Sequence, residues 1–395
     1  MRVNYLRRAR PLFLGLIFLL SICVSVPALA VRNPVFGYSV DLPIGWRDAE
    51  SFDPYHLAFL SPNGDAMLQI IALDPGTAQD GVGIAEHMLA DLSGEGESAP
   101  FDYLGYSAAI TDVQFITADN QVRGYMITIN GYEADLVLLC FALLESYDMA
   151  HDHLLSALDS FAMGDESALY PGPISHFFYP FPAPAGRSAT IPFGRSDLSF
   201  LIDPGEVDAG QVLVDREARI LSPYGALTRE LFEAAWRRYF RVIYRESFMR
   251  LQPLAVQIAQ RLEADRLPRV DYPAEILRWL QGFDYERTGG LSDFRAPLSC
   301  VAEGSGDCDS LALTYVILLH HLDFDAIAMV SDRYAHALAA VDVPGPGARF
   351  EFEDRQWLVA ELTDDIELGR IAADIADPAG WIGVRMRLML IAVEQ

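Results

Sequence analysis

The chain has 395 residues, 51% of them hydrophobic, and a formal charge of −26. It is too long to be served by one hydrophobic core and too apolar to be disordered. A field of that sign disfavours nucleic acid and anionic lipid as partners and suits cationic ligands. Every basic residue is Arg; no Lys occurs, so the chain offers no side-chain amine to accept an acyl group.

Arg2, Arg7, Arg8 and Arg10 precede an apolar run from Pro11 to Val26, and Ala28-Leu29-Ala30 places small residues where a signal peptidase reads. Residues 1–30 are therefore expected to be a cleaved signal peptide and the protein to be extracytoplasmic, periplasmic or secreted. Ile22, before Cys23, stands where lipidation wants a small side chain, so simple cleavage is preferred. No second long apolar stretch follows, and no membrane span is expected after signal removal. Cys140, Cys300 and Cys308 then remain, an odd number without CxxC spacing, which argues against a disulfide framework.

From 31 to 165 the pattern predicts an α/β unit. Tyr38–Pro43 alternates as a short strand, Ala66–Leu73 follows the Asn63-Gly64 turn as a second, Ile84–Leu92 has helical spacing, Gln121–Leu143 reads as a meander, and Met149–Phe161 as a closing helix. The run around Cys140, LVLLCFALL, reads as a buried strand. The segments YSVDLPIGW and LLSALDSF resemble the PsbP-like fold, named after an extrinsic photosystem protein. That resemblance implies an α/β sandwich used for docking, with an envelope protein as a possible partner, and no catalytic residues.

Residues 166–243 read as a Pro-rich connector, crowded by Pro171, Pro173, Pro180, Pro182 and Pro184, followed by a helix from Leu227 to Tyr244. Further helices are expected over Phe248–Leu267, Ala274–Leu280 and Cys308–Leu322, then strands at Ala326–Val330, His336–Val341 and Trp357–Glu361. The fold class expected for the whole is α+β.

Gly306-Asp307-Cys308-Asp309-Ser310 opens into an apolar run, which puts a thiol at a helix N-terminus with Asp307 as its cap. The helix dipole there favours a thiolate, although two flanking carboxylates oppose it, so an imidazole is needed as well. His336 begins one strand and Glu361 ends the next, the order a Cys–His–acid triad requires. Asp364 is a rival acid. Gln281, upstream of the thiol, is a weak candidate oxyanion donor; His320 and His321 read as helix C-terminal cations. Zinc on Cys308, His336 and Glu361 would use the same residues, but the triad order needs no metal, and neither metal nor cofactor is expected.

These elements resemble the transglutaminase-like (papain-type) superfamily over roughly residues 244–395. Gly306-Asp307-Cys308 matches its G-[DE]-C element, His336-Ala337 its His-small strand, and Glu361-Leu362-Thr363 its D-x-T element with Glu in place of Asp. The resemblance implies a papain-like α+β domain and thiol chemistry on peptide or isopeptide amides, by hydrolysis or acyl transfer. The alternative is a catalytically silent binding or assembly protein that keeps the fold as a scaffold. Cys300, eight positions before Cys308, either pairs with it or packs under the loop.

Overall fold

The computed structural model describes residues 30–49, 53–164, 166–183, 186–287, 289, 292–386 and 391–392. Residues 1–29 of the expected signal peptide, Cys23 among them, lie outside the described residues. The chain is α+β and divides into two compact units. Of the described residues, one unit holds those within 30–168, 172–177 and 391–392; the other holds those within 169–171 and 178–386.

The first unit is built on a seven-stranded antiparallel sheet in the order Arg47–Asp48, His56–Leu60, Ala66–Leu73, Asp135–Leu143, Asn120–Ile129, Tyr106–Thr117, Glu95–Tyr103. Its central strand explains the unbroken apolar run around Cys140. Leu136, Leu138 and Cys140 pack into one core with Leu154 and Leu158 of the helix Tyr147–Asp159. Val137, Leu139 and Phe141 face another, with Ile84 and Met88 of the helix Gly81–Leu92. A strand covered on both faces loses its polar alternation. The strand Ile391–Ala392 lies parallel to Ala30–Asn33 and belongs to this unit.

The second unit begins earlier than the sequence suggests. Residues 187–202 are no connector but a hairpin, Arg187–Phe193 with Ser196–Ile202, whose Ile191, Phe193, Leu198 and Phe200 enter the same core as Cys308. Asp203 then caps the helix Pro204–Leu221 with a capping box closed by Glu206. The two helices expected around 227–267 are one, Arg229–Ala264, which continues through Pro253. Its buried arginines are all paired: Arg238 with Glu217 at 2.8 Å, and Arg250 with Glu246 and Glu206 at 2.9 Å each. Pairing is what makes such burial tolerable. Phe240, fully buried among Trp236, Tyr239 and Phe294, ties this helix to the site-bearing core. Phe240→Ala is expected to cost about 3–5 kcal/mol in denaturant unfolding; a loss below about 1 kcal/mol would return the helix to the status of a connector.

Against these helices lies a five-stranded antiparallel sheet, ordered Arg349–Phe352, Arg355–Ala360, His336–Val341, Ala326–Ser331, Ile382–Val384. The helix Cys308–His321 packs on it and is buried from Ser310 to Leu319, which is why its sequence is apolar all round. Among the described residues no helix is long and apolar enough to cross a membrane.

Candidate active site

The nucleophile candidate is fixed from below by backbone. Asp284–Tyr285 lies parallel to Ser305–Gly306, and the next residue but one is Cys308, first of its helix. Asp307 caps that helix, accepting from the Ser310 amide at 2.9 Å. Gly306 has no room for a side chain: a Cβ there would lie 2.9 Å from Ser310 Cβ and 3.0 Å from Cys300 Sγ. Cys300 therefore packs beneath this loop, and Cys140, Cys300 and Cys308 are all free thiols.

His336 enters its strand from a turn in which Ala335 has φ of 47° and Ser331 Oγ accepts from the Tyr334 amide at 3.0 Å. The Trp381 ring lies 6.2 Å from the imidazole. Its Nε2 is 2.9 Å from Glu361 Oε2, while Glu361 Oε1 accepts from the Thr363 amide at 2.9 Å and from the Thr363 hydroxyl at 2.8 Å. Burial alone would push this carboxyl up, but bonds from His336 and Thr363 outweigh it and hold it below the usual carboxylate range. An ionised carboxylate only accepts, so Nε2 donates a proton to Glu361. The extra methylene of Glu361 is taken up without loss of that contact.

Two secondary candidates fall elsewhere. Gln281 Nε2 donates to the carbonyls of Glu361 at 2.8 Å and Ile366 at 2.9 Å. Both amide protons are thereby spent, so Gln281 braces the strand end and is no oxyanion donor. Asp364 is exposed, and the imidazole contact is made by Glu361 instead. His321 is no helix-end cation either: it stacks on Phe248 at 4.0 Å, its Nε2 donates to the Phe248 carbonyl at 2.8 Å, and burial lowers its pKa.

Cys308 and His336 line one cavity of about 430 Å³. Phe232, Trp236 and Tyr239 supply an aromatic wall, and Asp293, Asp309 and Asp332 are among its acids. Sequence reasoning missed this wall and also Tyr285 and Arg287, the latter lining the same cavity. The Tyr285 signal was faint, a two-residue parallel pairing with Ser305–Gly306 that only the folded chain reveals.

The thiol is not the ready thiolate that a helix N-terminus suggests. Cys308 is 3% exposed. Its burial, then the charges of Asp309 and Asp307, push it up to about 12 against the opposing Ala337 amide and Arg287. Asp309 is itself raised well above the carboxylate range by burial and by Asp307. Asp307, Cys308 and Asp309 offer donor atoms within 4.8 Å of one another, the group among the described residues that could take a metal ion. Asp307 is already committed to its cap, and His336 to Glu361, which leaves such an ion few ligands.

The wall of acids has a measurable consequence. A cationic methanethiosulfonate is expected to modify Cys308 about tenfold faster than its sulfonate counterpart at low salt, the gap closing toward 1 M salt. Equal rates would show that the acids do not govern approach to the thiol.

No family model matches the chain, and no curated protein matches it. Among solved structures it is similar to cyanobacterial PsbP (CyanoP) from Synechocystis sp. PCC 6803, at 14% identity over 36% of this chain and 98% of that one, with a TM-score of 0.29. It is also similar to PA94, a protein of unknown function from Pseudomonas aeruginosa, at 10% identity over 32% and 90% of the two chains, with a TM-score of 0.19. A crystal structure from Bacteroides thetaiotaomicron VPI-5482 is similar at 9% identity over 84% and 89%, with a TM-score of 0.26. All three TM-scores fall below 0.5, and none carries an argument about activity.

Proposed function

We propose that the protein is an exported transglutaminase-like thiol enzyme that cleaves or transfers peptide or isopeptide amides through Cys308, His336 and Glu361. The observation that carries this reading is the His336–Glu361 contact at 2.9 Å, which orients the imidazole beside a cavity that Cys308 also lines. With Nε2 protonated, Nδ1 is free to take the proton of a thiol that burial keeps neutral. Sulfur then adds to the amide carbonyl, the imidazolium protonates the departing amine, and water or a second amine resolves the thioester. A helix start beneath the sulfur and the Ala337 amide against it favour the anionic states along this path.

The test is turnover of a mixed set of peptide and ε-isopeptide amides, with and without added primary amine, read by mass spectrometry. Cleavage or amine incorporation lost in Cys308→Ala is the expected result. The silent-scaffold reading is favoured by one observation, the near-complete burial of a thiol held at about 12. It prevails if no amide is turned over and peptidyl electrophiles leave Cys308 unmodified.

A further inference from the structure

Arg287 plays no part in the triad, yet it bridges the two sides of the site. Its Nε donates to Tyr285 Oη at 2.9 Å and its Nη2 to the Ala335 carbonyl at 3.3 Å. Tyr285 pairs with Gly306, two residues before the thiol, and Ala335 immediately precedes His336. Arg287 lines the same cavity as Cys308, where its charge opposes the upward push of burial and the acids on the thiol.

The charges around that sulfur are unequal. Asp307 and Asp309 flank it on its own helix, Asp293 and Asp332 line the same cavity from neighbouring segments, and His336 faces it from the sheet. Three of these acids already have partners: Asp307 the Ser310 amide, Asp293 the Gly289 amide at 2.6 Å, and Asp332 Arg229 at 3.7 Å. Apart from the imidazole, Arg287 is the one basic group among the described residues lining the cavity. A chain without Lys has no other kind of side chain to supply that charge at neutral pH.

We propose that Arg287 is a functional cation of this site: it offsets the carboxylates that crowd the thiol and, with Tyr285 Oη, donates to the anionic atom formed as the sulfur reacts. The inference rests on the reading of Cys308 as the nucleophile. In the forward step the thiol proton passes to His336 Nδ1 and a sulfur lone pair forms the C–S bond. The carbonyl π pair moves onto oxygen, the atom Arg287 and Tyr285 hold. Collapse restores the carbonyl, breaks the C–N bond and sends the proton from the imidazolium to the leaving amine. Donors fixed in advance by bonds to Tyr285 and Ala335 need no rearrangement at that moment.

The experiment follows alkylation of Cys308 by iodoacetamide in the full folded protein from pH 5 to 10, with each cysteine peptide quantified by mass. Arg287→Gln is expected to slow labelling about tenfold at pH 7.5 and to move the pH curve up by about one unit. Arg287→Lys, which keeps the charge, should stay within about threefold of the parent. The proposal is overturned if Arg287→Gln overlays the parent curve, or if Arg287→Lys is as slow as Arg287→Gln. Labelling of the buried Cys140 and Cys300 would reveal unfolding; in that event Tyr285→Phe decides, with slowing of at least about threefold expected and an unchanged rate fatal. His336→Gln in the same assay reports on the triad separately, so the two readings fail independently.

Discussion

His336→Gln is expected to reduce acylation of Cys308 by a peptidyl electrophile about a thousandfold, with the melting temperature nearly unchanged. Glutamine can still donate an amide proton to Glu361, so the 2.9 Å contact and the packing beside Trp381 have a near-isosteric substitute. What is lost is the only imidazole among the residues lining the cavity. A thiol pushed up to about 12 has almost no thiolate at neutral pH, so removal of the base leaves the weakest form of the nucleophile. General-base assistance is worth about 10²–10⁴ in rate. Because the thiol starts neutral, the effect should shrink as pH rises toward the thiol's own ionisation. A rate within about threefold of the parent at pH 7 would remove His336 from the mechanism.

Asp309→Asn is expected to do the opposite on two counts. Burial and then Asp307 raise the Asp309 carboxyl, and Asp309 in turn is the larger of two like charges raising the thiol. A carboxyl with a folded pKa above its unfolded value holds more protons in the native state. Stability is therefore lost as pH climbs from the unfolded value through the folded one. Asparagine removes that loss, so the variant should gain about 1–2 kcal/mol near pH 7 and little below pH 4, where the parent acid is protonated in both states. Alkylation of Cys308 should rise only above the pH at which Asp309 ionises in the folded parent, and should match the parent below it, where that carboxyl is already neutral. Denaturant titrations at pH 4 and pH 7 check the first claim; a variant less stable than the parent at pH 7 would mean that Asp309 has a favourable partner.

How much of this was legible beforehand varied with the physics behind each element. The helix Tyr147–Asp159 was readable because it buries apolar residues at its own period, and the strand Ala66–Leu73 because a short apolar run follows the Asn63-Gly64 turn. The edge strand Glu95–Tyr103 was not, since an edge tolerates acids and Pro100 where a central strand would refuse them. The hairpin at 187–202 was hidden by the prolines before it, although Asp203-Pro204 with Glu206 carried a helix-start signature that fixes where it ends. Cys308, His336 and Glu361 were visible because each sits at an element end with uncharacteristic neighbours. Arg287 and Gln281 were not, because their roles depend on side-chain reach across the fold: one to Ala335, the other to Glu361 and Ile366. The state of the thiol was misread for a related reason. The helix N-terminus is local and legible, whereas the burial that overrides it is not.

The central claim, that Cys308 is the acyl-carrying nucleophile of a His336–Glu361 pair, is tested most directly by trapping the intermediate. An N-acyl peptide activated ester is mixed with the protein, quenched in acid within seconds and weighed intact, with the adduct mapped by digestion. One acyl group per chain is expected, on Cys308, sensitive to hydroxylamine, forming far more slowly in His336→Gln and Glu361→Gln and absent from Cys308→Ala. An adduct on any other residue, or one that forms on Cys308 at the same rate in the parent, His336→Gln and Glu361→Gln, would contradict it.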